Sequence, residues 1–102
     1  MSLDQIRAAD DTTAVEGRLI DVPEWGGQVR IRGLTRGEAR KLGEGMTLAE
    51  VEAFSLHRCL LDPRVTEAEA AALLDEKGFA ATERVLAGIM DLSGLSPGFR
   101  PE

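Results

Sequence analysis

The chain has no tyrosine and only one tryptophan, one histidine and one cysteine. A lone cysteine, Cys59, rules out a disulfide within the chain and suits a reducing compartment. The lone histidine, His57, stands two residues away; on a helix the two side chains point roughly 200° apart and make no nucleophile–base pair. Nor do they supply the four ligands of an ordinary zinc site. No G-x-x-x-x-G-K-[ST] loop occurs, and Gly26-Gly27 opens an alternating segment rather than a helix, so no phosphate cradle is expected. Apolar runs fall short of the ~18 residues of a membrane span, and the amino terminus lacks a signal peptide's apolar stretch. Cations are few: twelve Lys and Arg against eighteen Asp and Glu give a net charge of −6. That deficit is spread along the chain, no segment is basic, and nucleic acid is not an expected partner. The expectation is therefore a non-enzymatic protein with no catalytic residue, no cofactor and no metal.

What is present suffices for one small domain of 102 residues. Apolar residues make up 43% of the chain, and although thirteen are alanines, Leu, Ile, Val and Phe together number 26. That share is above the composition of a disordered chain. The expected fold class is α+β: an amino-terminal β-hairpin (15–34) followed by three to four short helices (36–93) in one domain over 15–97. Residues 1–14 are expected to form a loosely held arm, with Ser2-Leu3-Asp4-Gln5 spaced to cap one helical turn. Residues 98–102 are expected to fray.

Gln28-Val29-Arg30-Ile31-Arg32 alternates polar and apolar, the pattern of a strand with one buried face. Upstream, residues 15–22 alternate less cleanly but are rich in β-branched residues. Between them Pro23-Glu24-Trp25-Gly26-Gly27 combines a residue with no backbone donor and two that permit positive φ, which predicts a hairpin loop of about five residues. Three Thr-x-x-Glu boxes follow, at Thr35/Glu38, Thr47/Glu50 and Thr66/Glu69. In each the hydroxyl and the carboxylate satisfy helix N–H groups that otherwise lack partners. They predict helices over 36–43, 48–61 and 67–76, the second ending before Pro63. A fourth is predicted over 79–93. Core candidates are Leu19, Val29, Ile31, Leu34, Leu48, Val51, Phe54, Leu60, Leu73, Val85, Ile89 and Leu92.

Five residues stand out as candidates for binding a partner. Trp25, in a loop between charge and glycine, either closes the core or anchors a partner protein. Arg30 and Arg32 either line a solvated strand face with Glu16 or Asp21, or form a cationic strip for an acidic segment. Leu86 and Met90 form a second apolar stripe about 100° from Val85, Ile89 and Leu92. Either the last helix is central and buried on two sides, or this stripe grips an amphipathic partner or a second copy of the chain. Cys59 is expected to be a small buried side chain.

The opening Met1-Ser2-Leu3-Asp4-Gln5-Ile6-Arg7-Ala8-Ala9-Asp10-Asp11 resembles the start of tail assembly chaperones from long-tailed bacteriophages and prophages of actinobacteria. So does Val22-Pro23-Glu24-Trp25-Gly26-Gly27-Gln28-Val29-Arg30-Ile31-Arg32-Gly33-Leu34-Thr35 with Glu38, and so does Leu92-Ser93-Gly94-Leu95-Ser96. Between Asp62 and Thr66 the chain is shorter than the family pattern. The resemblance implies a chaperone that coats the long helical tape measure protein, helps recruit the tail-tube protein in the host cytoplasm, and is absent from the mature virion. In many such phages it also implies a frameshifted longer form, whereas self-association is an expectation from the apolar surplus of the last helix alone. The alternatives are a structural tail or head–tail component retained in the particle, and a small acidic adaptor or regulator.

Overall fold

The computed structural model describes residues 1–9, 17–43 and 45–94. The expected strand start at 15–16, the stretch 10–14, the Leu95-Ser96 end of the family pattern and the carboxy-terminal 98–102 lie outside them. The order of elements is α1 (Leu3–Ala8), β1 (Arg18–Val22), β2 (Gly27–Ile31), α2 (Arg36–Lys41), α3 (Leu48–Cys59), β3 (Leu60–Asp62), α4 (Glu67–Glu76) and α5 (Phe79–Leu92). The class is α+β.

The hairpin forms by the expected chemistry. Val22 pairs with Gly27, and Pro23–Trp25 winds one 3-10 turn closed by Gly26 at φ 82°, a left-handed conformation that favours glycine. Register places Ile20, Val22, Val29 and Ile31 on the inner face. Leu19 lies opposite Arg30 on the outer face and is exposed, contrary to its expected place in the core. In a strand of period two, the Leu19-Ile20 pair must split between faces, and the partners of Val29 and Ile31 decide which one goes in.

The sheet has a third strand. Leu60–Asp62 leaves the helical path predicted to run to 61 and pairs antiparallel with β2, Ile31 opposite Leu60 and Arg30 opposite Asp62. The strand order is β1-β2-β3. Burial of Leu60 beside Ile31, and a hydrogen bond from the Arg32 N–H to the Cys59 carbonyl at 2.9 Å, hold the chain there.

All three Thr-x-x-Glu boxes are closed in both directions, as is Ser2/Gln5 on α1. Helix α5 lies on the inner face of the sheet, where Gly88 allows close approach: a Cβ there would stand 3.0 Å from the Ile31 Cδ1. Helix α3 packs beside α5, and α4 packs on α3. Val22, Ile31, Leu60, Val85 and Ile89 are fully buried at the centre. Leu48, another expected core residue, is exposed at the first position of α3; Phe54 and Leu92 are half-buried against the core.

Candidate partner-binding surface

Two of the five candidates, Trp25 and Leu86, are set by packing. The Trp25 side chain folds back from the hairpin tip and packs against the core while remaining half-exposed. Beside it Glu24 receives two hydrogen bonds from Arg84 of α5, at 2.8 and 2.9 Å, which tie the tip to the helix. The Arg84 guanidinium holds the Glu24 carboxyl at about 2. Leu86 is 8% exposed and belongs to the core, and Met90 is half-buried against it. Helix α5 is thus the central helix, packed on the sheet and on α3.

The two arginines part company. Arg30 stays on the outer face of the sheet, half-buried, its Cγ in the space a Cβ at Gly17 would occupy. Arg32, just past the end of β2, turns inward. Its two terminal nitrogens donate to both carboxylate oxygens of Glu38 at 2.8 and 2.9 Å, and Arg58 of α3 adds a third bond at 2.8 Å. Thr35 completes the set, its N–H donating to Glu38 Oε1 at 2.9 Å. The Arg32 bond above all, against the opposing cost of burial, holds the Glu38 carboxyl at about 2, and Glu38 in turn raises the Arg32 pKa. Strand β2, α2 and α3 meet at this carboxylate.

Immediately downstream, Gly33 passes under the end of α5. A Cβ there would stand 2.6 Å from the Leu92 carbonyl oxygen. The Leu34 N–H donates to Ser93 Oγ at 2.8 Å, and that hydroxyl donates to the Ile89 carbonyl at 2.6 Å. From Val22 to Glu38, the block that carries the family resemblance thus fills core positions, a turn, a salt-bridge clamp, a close backbone crossing and a helix cap.

His57 Nδ1 lies 2.8 Å from the Val65 carbonyl, which can only accept, so the ring donates there. Cys59 is buried beneath the sheet–helix junction, and burial pushes its thiol up to about 12. Among the described residues no group of three His, Cys, Asp or Glu is placed to hold a metal ion, and no helix is long and apolar enough to cross a membrane.

The large apolar side chains left in water lie elsewhere. Among the described residues they are Met1 at the amino terminus, Leu3 and Ile6 on α1, Leu19 on the outer sheet face, Leu48 at the start of α3 and Phe79 at the start of α5. A shallow groove of about 360 Å³ runs between α3 and α4, floored by Ala49, Ala53, Ala68 and Ala71 and edged by Glu50 and Glu67. A second, of about 220 Å³, lies between Trp25 and the α4–α5 corner. The sequence pattern did not single out Phe79 and placed Leu48 in the core, because each opens its helix, where one turn gives no reliable periodic signal.

Compared with models of protein families, with curated proteins and with solved structures, the chain matches none.

Proposed function

We propose that the chain is a tail assembly chaperone that binds the tape measure protein, keeps that long helical partner soluble, and assists polymerisation of the tail-tube protein around it. It acts in the host cytoplasm and leaves before the virion is complete. The resemblance of residues 1–11, 22–35 with Glu38, and 92–96 suggests the family. The observation that carries the reading is the exposed apolar set Leu3, Ile6, Leu19 and Leu48 on an acidic chain of net charge −6. A protein that shields apolar helices needs apolar surface of its own, together with enough charge of one sign to keep many copies apart in solution. Those side chains are spread over α1, β1 and α3, which suits a partner contacted at several points along its length.

Co-expression tests the proposal. The tape measure protein should be soluble with this chain and aggregate without it, and replacing both Ile6 and Leu48 by Asp should remove the gain. An equal soluble fraction with and without the chain overturns the reading. Mass spectrometry of purified virions separates the chaperone from a retained structural component, since ring-like abundance in the particle belongs only to the latter.

A further inference from the structure

Phe79 leaves 78% of its surface in water. Fully burying such a side chain contributes about 1.5–3 kcal/mol, so its exposure forgoes much of what the core could gain from it. It stands on the first turn of α5, beside the 220 Å³ groove but not lining it. Trp25, Ala80 and Ala81 are the apolar part of its lining, and Glu24, Glu76 and Lys77 the charged part, with Glu24 already held by Arg84. A cavity of about 150 Å³ holds a benzene ring, so a phenyl group fits. One corner of the molecule thus presents an aromatic knob, an open groove roomy enough for a phenyl group with an aromatic wall, and, beside the Glu24–Arg84 pair, the opposite charges of Glu76 and Lys77.

A patch carrying both halves of each complementary pair is self-complementary, the condition for an interface with two-fold symmetry. We propose that the chain dimerises through this corner. Phe79 of one copy seats against Trp25 in the groove of the other, and Glu76 of each faces Lys77 of its mate. Charge complementarity selects a second copy of the chain: a foreign apolar helix would need no charge of each sign beside the hole. A standard interface buries about 800 Å² per partner, roughly an eighth of a molecule whose whole surface is 6592 Å². With one aromatic contact and one reciprocal ion pair contributed per copy, the dimer is weak and forms with rising concentration. This inference does not rest on the chaperone reading, and its failure leaves the co-expression result untouched.

Sedimentation equilibrium from about 1 μM to 1 mM, with Trp25 emission recorded alongside, tests it. Weight-average mass should climb from one chain toward two, and the emission of the sole tryptophan should shift to the blue in step. Phe79→Asp should weaken dimerisation at least about tenfold and leave the thermal midpoint unchanged, since an acid suits the first turn of a helix. Glu76→Lys alone should weaken it, and adding Lys77→Glu should restore it. A mass of one chain at every concentration, a dimer indifferent to Phe79→Asp, or a charge exchange that fails to rescue would each overturn the proposal.

Discussion

Glu38 accepts bonds from Arg32, Arg58 and the Thr35 backbone while its side chain is only 10% exposed. Truncating it strands Arg32, itself 13% exposed, without its counter-charge. Glu38→Ala should therefore cost about 3 kcal/mol, read as a lower urea midpoint at unchanged slope. The carboxyl titrates at about 2 in the fold against 4.5 without its partners. A depressed folded value means the stabilisation is complete above about pH 5 and disappears as pH falls toward 2. With solvent screening on the exposed Arg58 side discounted, the loss is about 2 kcal/mol. Glu38→Gln should flatten the stability profile over that window; a variant as acid-sensitive as the parent would contradict this. At Gly33 the obstacle is backbone: Gly33→Ala should destabilise by about 1–3 kcal/mol, measured the same way, because the Leu92 carbonyl cannot swing aside as a side chain could. Neither role was legible in the sequence. Arg32 reads there as one more polar residue of an alternating strand, and only the inward turn after Ile31 separates it from Arg30.

At the level of elements, the caps were the most legible feature, since a hydroxyl and a carboxylate three residues apart act locally and need no tertiary context. Thr66→Ala should remove about 1 kcal/mol. Its effect should concentrate in α4, which buries only Ala70 fully and depends on its cap more than on packing. Hydrogen exchange should find α4 opening before α3 and α5 in the parent, and earlier still in the variant. Strand β3 was hidden for the opposite reason. Three residues cannot display a period, and Leu60-Leu61 continues the apolar rhythm of α3. What turns it into a strand is the pairing edge offered by β2, which is remote in sequence. The second stripe of α5 was visible, but a pattern cannot say whether a broad apolar face meets one neighbour or two. The sheet covers one side of this helix and α3 another.

Across the whole molecule, packing is uneven. Helix α1 buries no residue, with Leu3 62% and Ile6 56% exposed. Removing residues 1–9 should change unfolding free energy by less than about 0.5 kcal/mol, whereas a core-deleting substitution such as Ile89→Ala should cost about 2–5 kcal/mol; calorimetry of the two variants makes the comparison. Cys59 has a consequence for handling the protein. Being the chain's sole sulfhydryl, and inaccessible until the core opens, it should ignore an aromatic disulfide reagent in native buffer and release one equivalent of chromophore in denaturant. Any cysteine introduced on the outside then becomes a unique attachment point for a dye or spin label, with no need to replace the natural one.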